Sequence, residues 1–336
     1  MWLTSSSVGR KFIMALTGAV LVLFVTFHCL MNAIAIFWPT AYNSVCMFLG
    51  ANWYALLASA GLALFIFVHI IYAVVLTLQN RKARGNVRYA VSKRPSTVEW
   101  SSQNMLVLGI VVVAFLVVHM IQFWAKMQLV EVLGAETAIP AVAGTLFIQE
   151  AFSCPWTLVV YVIGFIALWF HLNHGMWSMF QSVGWDNTTW IPRLKRIATW
   201  WVSIVVCLFL AEAVVFTVKA NEGYYKTNAE LREQYKAMIV PEFEDDFGPA
   251  AVQQLSMMPY EQFSEIVQGQ LEQMKNPQMQ QYMSSDPKFP EMLEFLENQG
   301  KFLEYLEEGD AAAEGQQLPG VPASAGAAAQ NANPKQ

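Results

Sequence analysis

The chain has 336 residues, of which 55% are apolar and only 13% charged, about half the charged fraction of an average soluble domain. Its net charge of −5 divides unevenly: residues 1–220 hold 13 Lys+Arg against 6 Asp+Glu, whereas residues 221–336 hold 7 against 19. An apolar, basic first part and an acidic second part exclude a single soluble domain, and the lack of a basic stripe outside short loops argues against a nucleic-acid partner.

The hydrocarbon core of a bilayer is about 30 Å thick, so a helix needs about 20 apolar residues to cross it. Five stretches qualify, at 12–38, 53–78, 105–124, 156–183 and 197–218, and only the last contains a carboxylate, Glu212. The first resembles a signal peptide, since Arg10 and Lys11 precede it and Ala33-Ile34-Ala35 looks like a cleavage site. Its 27 uncharged residues exceed the hydrophobic region of about 7–15 residues typical of such peptides, so a retained helix is expected.

Basic residues favour the cytoplasmic side of short loops. Arg10 and Lys11 precede the first span; Arg81, Lys82, Arg84, Arg88, Lys93 and Arg94 join the second to the third; Arg193, Lys195 and Arg196 join the fourth to the fifth. The other two connections hold Lys126 against Glu131, Glu136 and Glu150. The expected topology has a cytoplasmic N-terminus and, after five crossings, an extracytoplasmic acidic tail. In the tail, 228–238, 250–258, 260–274 and 291–308 mix apolar and charged residues at helical spacing, which predicts short amphipathic helices. From Asp310 onward the Ala, Gly, Pro, Gln and Asn bias predicts disorder. The expected domains are therefore a membrane bundle (1–220), an acidic helical extension (221–309) and a disordered end (310–336).

Of the four cysteines, Cys29 and Cys207 lie in apolar runs and read as small hydrophobes. Cys46 and Cys154 fall in stretches placed on one side of the membrane, which leaves a disulfide between them open.

All five histidines, His28, His69, His119, His171 and His174, lie in the apolar part. One histidine in a membrane helix reads as a helix-to-helix hydrogen bond. Four helices with at least one each is a different case, because ionisable residues are costly there. His28 lies 17 residues beyond Lys11 and His119 lies 20 beyond Glu99, while His69 lies 12 before Arg81 and His171 lies 15 before Asp186. At the helical rise the first pair is about 26–30 Å from the cytoplasmic charges and the second about 18–23 Å. Two levels of paired imidazoles, His28 and His119 toward the outside and His69 and His171 toward the inside, each pair drawn from two helices, suit two bis-histidine haems one above the other. Zinc or copper would want three or four ligands at one depth, with Cys or carboxylate among them. His174, on the same face as His171 and one turn nearer the cytoplasm, is the competing inner ligand; otherwise it meets a haem propionate or interfacial water.

The Ser-Ser-Val-Gly-Arg-Lys-Phe-Ile-Met-Ala-Leu-Thr-Gly segment (6–18), the Phe-His-Leu-Asn-His-Gly-Met-Trp-Ser segment (170–178) and a histidine in each of the first four spans resemble a known family. It is the five-helix, di-haem cytochrome b membrane subunit (b558 type) of succinate:quinone oxidoreductases, the succinate dehydrogenases and fumarate reductases, and the resemblance covers residues 1 to about 220. It implies an all-α bundle in a bacterial inner membrane that binds two b haems, with His28 and His119 as axial iron ligands of the outer one and His69 and His171 of the inner one. Its partners would be a flavoprotein and an iron-sulfur subunit on the cytoplasmic face, with room for a dimer of complexes. Its substrate would be a membrane quinone, menaquinone by resemblance. Electrons would pass between quinone and the iron-sulfur subunit through the two haems. No dinucleotide fingerprint or cluster-spaced cysteines occur here, so the dicarboxylate chemistry would lie in the partners.

The chain departs from that pattern in three places. Residues 42–53 lack the acidic residue that serves the quinol site in di-haem fumarate reductases; Trp169 stands where a glutamate precedes the fourth-helix ligand by two residues; and the acidic tail has no counterpart in the family's core. Glu212 is the remaining candidate for quinone-linked proton transfer, with a carboxylate reaching the interface as the alternative. Ser7, Arg10 and Lys11 are candidates for propionate contacts or simple anchoring. The competing readings are a cytochrome b serving another dehydrogenase, and a haem-free transporter or scaffold. A transporter would show broken helices and an internal repeat.

Overall fold

The computed structural model describes residues 6–50, 52–85, 99–135, 137–283 and 286–315. It is 88% helical, with no strand among the described residues. Five helices are long and apolar enough to cross a bilayer, which makes the chain a multi-pass membrane protein. They are α1 (Ser7–Phe37), α3 (Trp53–Arg84), α4 (Trp100–Leu133), α6 (Pro155–Ser182) and α7 (Trp190–Asn221). α3, α4 and α7 extend past the stretches expected from hydropathy and α1 begins five residues earlier, because polar and aromatic end residues continue the helix into the interface, while α6 matches its expected stretch to within one residue. The basic loop 86–98, with Arg88, Lys93 and Arg94, lies outside the described residues, as does Glu136.

Local chemistry sets the helix ends. Ser6 caps α1 by accepting a 2.9 Å hydrogen bond from the Gly9 amide, one of the unsatisfied donors of a helix start. Trp38 breaks the helical path and Pro39 opens the short α2 (Pro39–Leu49) as its first residue, where proline's missing N–H costs nothing. Pro155 opens α6 in the same way. Within α4, Met120–Leu129 is wound as a π-helix that begins immediately after His119, a variation frequent at functional sites.

Large apolar side chains point outward along the spans: Leu23 and Phe27 on α1, Leu57, Leu64 and Phe67 on α3, Ile110 on α4, Ile163 on α6 and Ile204 on α7 are all exposed, as a lipid-facing surface requires. The helices do not share the interior equally. The apolar windows of α6 and α7 are each 39% buried within the chain and that of α3 not at all. Accordingly α6 packs against α1, α4 and α7, while α3 packs mainly against α1 and touches α4 only sparsely.

At one end of the bundle the connections form α2 and α5 (Gly144–Phe152), and there the acidic tail docks. A Cβ on Gly144 would lie 2.4 Å from Cys46 Sγ and 2.8 Å from Tyr42, so only glycine lets α5 approach α2 this closely. Cys46 and Cys154 are free thiols, as are Cys29 and Cys207, so the disulfide left open by the sequence is not formed.

Gly223, at φ +68°, turns the chain from α7 into α8 (Tyr224–Thr227), α9 (Ala229–Ile239), a 3₁₀ turn (Val240–Phe243), α10 (Glu244–Met257), α11 (Tyr260–Lys275), α12 (Pro277–Met283) and α13 (Phe289–Gly315). Tyr225, Tyr235, Phe243, Phe263, Phe302, Leu296, Leu303 and Leu306 are fully buried at their centre. The expected helices are present, but α13 continues to Gly315 where disorder was expected from Asp310; Ala311, Ala312 and Ala313 are strong helix formers. Residues 316–336 lie outside the described part.

The tail and the bundle share one core that runs from Cys29 to Leu306. Buried polar contacts fix the junction. Asn43 Oδ1 accepts from the Thr145 amide and hydroxyl, both at 2.9 Å, and its amide donates to Gln234 at 3.0 Å. The Tyr235 hydroxyl lies 2.8 Å from Thr145 Oγ1 and donates to the Tyr225 carbonyl at 2.9 Å. Gln234 Nε2 donates to the Thr40 carbonyl at 2.9 Å. Asn43 and Thr145 are 0% exposed, which demands the partners that this network supplies.

Candidate functional site

Four helices bring their histidines together in two pairs at two levels. His28 of α1 meets His119 of α4 with ring centroids 5.6 Å apart, toward the tail end. His69 of α3 meets His171 of α6 at 6.4 Å, toward the basic end. The rings that meet are those the depth arithmetic groups together, and His171 rather than His174 lies against His69. All four residues are half-buried.

The surroundings of the pairs differ. Aromatic rings enclose the first: Phe24 stacks on His28 at 5.4 Å, Phe209 of α7 lies 6.2 Å from it, and Phe115 and Phe123 flank His119 at 6.1 and 5.2 Å. Small residues border the second, where a Cβ on Gly18 would lie 3.6 Å from the His69 ring and one on Gly109 3.7 Å from the His171 ring. Glycine at these two positions leaves room beside the imidazoles.

One ring of each pair is held by a hydroxyl on a neighbouring helix. Thr17 Oγ1 lies 3.1 Å from His69 Nδ1, and the Tyr161 hydroxyl lies 3.1 Å from His119 Nδ1. Tyr161 in turn donates to Gln122 Oε1 at 3.0 Å, and Gln122 Nε2 donates to Thr157 at 3.2 Å. His171 Nδ1 is buried with no hydrogen-bond partner among the described residues. Sequence reasoning missed Thr17 and Tyr161 as site residues. Tyr161 stands ten residues before His171 on α6, about 15 Å by the helical rise, and that offset carries it from the level of one pair to the level of the other.

No three of His, Cys, Asp and Glu converge on one point among the described residues, so each level offers two imidazoles and nothing more. A metal held between two imidazole nitrogens at about 2.0–2.1 Å each sets the ring centroids about 6.3 Å apart. The His69/His171 spacing matches, and the His28/His119 pair needs an opening of about 0.7 Å by the same reckoning. Aromatic walls around the tail-end pair and the glycines beside the basic-end pair are compatible with a flat, apolar cofactor that takes two imidazoles at each level.

Glu212 is 3% exposed and lies one turn beyond Phe209, the residue against His28. It accepts from Cys29 Sγ at 3.8 Å. The carboxylate therefore faces the interior beside the tail-end pair and does not reach the interface. Trp169, in the place of the family's glutamate, donates to Ser203 Oγ at 3.0 Å and ties α6 to α7. Arg10 Nε donates to the Ser6 carbonyl at 3.3 Å.

His174 belongs to a separate cluster at the basic end. Its Nδ1 stands 3.5 Å from Glu99 Oε2, while Lys195 Nζ reaches Glu99 Oε1 at 2.6 Å and lies 4.1 Å from the centroid of the Trp177 ring. Burial pushes the Glu99 carboxyl up, but the Lys195 hydrogen bond and charge, with a contribution from His174, outweigh it and hold Glu99 below its usual range. A depressed carboxylate stabilises the fold above its unfolded pKa of about 4.3 and loses that contribution as pH falls through the lower folded value. At this exposure the effect is small: Glu99→Gln should cost less than about 1 kcal/mol at neutral pH, and the difference in thermal midpoint should vanish in acid.

A second prediction concerns Gly164, where a Cβ would lie 2.5 Å from Phe115. Gly164→Ala should displace the ring that flanks His119 and cost about 1–3 kcal/mol by overpacking, read as a lower thermal midpoint with the His69/His171 level undisturbed.

No family model, no curated protein and no solved structure matches this chain.

Proposed function

We propose that this chain is the di-haem cytochrome b membrane-anchor subunit of a succinate:quinone oxidoreductase, a succinate dehydrogenase or fumarate reductase. The observation that carries this reading is the meeting of the histidines in two pairs at two levels of one membrane bundle, with ring centroids 5.6 and 6.4 Å apart. His28 and His119 would hold one b haem and His69 and His171 the other. When bound, each haem supplies a reversible one-electron couple, and axial ligation and surroundings set its potential. The chain's own residues hold the imidazoles in two pairs, wall the His28/His119 pair with aromatic rings and place the pairs at two depths, one near each face.

The basic residues of the loops orient the bundle with its N-terminus in the bacterial cytoplasm and its acidic tail outside the inner membrane. Under that orientation the His69/His171 level lies nearer the cytoplasmic face, where the iron-sulfur subunit and its flavoprotein would dock. The His28/His119 level lies nearer the outer face. A membrane quinone, menaquinone in this reading, exchanges electrons with the bundle. Glu212, enclosed beside Cys29, would be the proton-exchanging group at the outer part of the bundle.

The test is a reduced-minus-oxidised optical spectrum with pyridine haemochrome quantitation on the purified chain. Two b haems per polypeptide are expected, and a folded protein that takes up none would end the cytochrome reading. Co-purification separates the complexes this subunit could serve: a flavoprotein and an iron-sulfur protein are expected, whereas a hydrogenase or formate dehydrogenase would replace the present reading with another electron-transfer one.

A further inference from the structure

A hydroxyl has one proton to give, and at both levels that proton is committed elsewhere. Thr17 Oγ1 is 2.9 Å from the Ile13 carbonyl oxygen and 3.1 Å from that of Met14, acceptors that can only receive. At the other level the Tyr161 hydroxyl donates to Gln122 Oε1 at 3.0 Å, and the Gln122 amide is oriented by its own donation to Thr157. What remains on each hydroxyl oxygen is a lone pair, and it faces a histidine Nδ1 at 3.1 Å. A neutral imidazole carries its proton on one nitrogen only, and the hydrogen bond at one nitrogen decides the state of the other.

From this polarity we propose that Thr17 and Tyr161 are positioning residues that fix His69 and His119 as Nδ1–H tautomers, which leaves Nε2 of each as the lone-pair nitrogen available to a metal. The proposal rests on the di-haem reading for its redox consequence, though not for the tautomers themselves. Each level then has one ligand locked by a hydroxyl from a neighbouring helix. At the His69/His171 level the contrast is direct, because His171 Nδ1 has no hydrogen-bond partner among the described residues. An Nδ1–H that donates to an acceptor makes the ring a more basic ligand. A more basic ligand favours the oxidised iron, so the locked rings hold both potentials below the values they would otherwise have.

The experiment is a spectroscopic redox titration of the haem-loaded protein, with the two transitions assigned by the His69→Ala and His119→Ala variants. Tyr161→Phe keeps the ring that packs on Phe115, Phe152 and Phe165 and removes the hydroxyl, with both its lone pair toward His119 and its donation to Gln122. It should raise the midpoint potential of the His28/His119 level, leave the other unmoved and weaken haem retention at its own level by about 10–100-fold. Thr17→Val should do the reverse, and Thr17→Ser, which restores the hydroxyl, should return the potential toward that of the unaltered chain. Both transitions unmoved in Tyr161→Phe and Thr17→Val, with haem still bound, would overturn the proposal. So would partial haem loss at the altered level with no shift in the fraction retained there, since that is what a purely structural contact produces.

Should the unaltered chain bind no haem, the di-haem reading falls while the tautomers remain measurable. Nitrogen-15 shifts of the histidine-labelled protein in lipid nanodiscs would then decide. Protonated Nδ1 in both His69 and His119 would sustain the assignment, and protonated Nε2 in either would overturn it.

Discussion

His119→Ala is expected to remove one b haem and leave the other, halving haem per chain, with His28→Ala giving the same result. His69→Ala and His171→Ala should each remove the opposite haem. The expectation comes from helix pairing: His28 and His119 come from α1 and α4, His69 and His171 from α3 and α6, and no ring is shared between levels. Deleting a ligand should exceed the roughly 10–100-fold loss of metal affinity caused by deleting a ligand's hydrogen-bond partner. Quinone-linked electron transfer should collapse in all four variants, because a chain of two carriers fails when either is missing. His174→Ala should retain both haems, since that ring is engaged with Glu99 at the basic end. The measurement is haem per polypeptide by pyridine haemochrome, with low-temperature difference spectra to tell the levels apart. Loss of a haem in His174→Ala, with His171→Ala unaffected, would assign the ligand to the wrong member of the pair.

Truncation after Asn221 is expected to weaken the whole membrane bundle, and not merely to remove an appendage. The tail's Tyr225 and Tyr235 are 0% exposed, and they share a core with the helices beneath. Asn43 and Thr145 find partners in the tail at Gln234 and Tyr235. Two or three buried aromatic contacts at about 1.5–3 kcal/mol each place the loss on the order of 5 kcal/mol, which for a chain of this size is a drop of about 10 °C or more in thermal midpoint. The loss should fall first on the tail end: α2 and α5 would be uncovered, so the haem of the His28/His119 level should become the more labile of the two. Thermal unfolding followed by circular dichroism, with haem release monitored in parallel, gives both readings. An unchanged midpoint would show that the tail is tethered to the bundle without supporting it.

Much of the architecture is legible in the chain itself. Hydropathy specified five spans because the bilayer imposes a length that only runs of about 20 apolar residues satisfy. The rise of the helix, counted from loop charges, placed His28 with His119 and His69 with His171, since a regular helix converts sequence number into depth. Amphipathic spacing announced the tail helices. The end of α13, longer than expected, has an equally local cause, an alanine run whose helix propensity outweighed the compositional bias of the segment from Asp310 onward.

Depth along an axis says nothing about the direction a side chain faces or about what lies beside it, and there the tertiary structure decided. Thr17 and Tyr161 read from sequence as an ordinary helix residue and an ordinary aromatic; only the packing of α1 on α3 and of α4 on α6 sets their hydroxyls against imidazole nitrogens. Glu212 could have reached the interface or turned inward, and the contacts of α7 with α1 put it inside, beside Cys29. The tail likewise carried no mark of where it would rest. Its docking depends on a glycine at 144 that lets two loop helices meet and on a buried asparagine whose hydrogen bonds are divided between bundle and tail. Such choices arise from contacts between residues 42 to 191 positions apart, which a local pattern of polar and apolar residues does not encode.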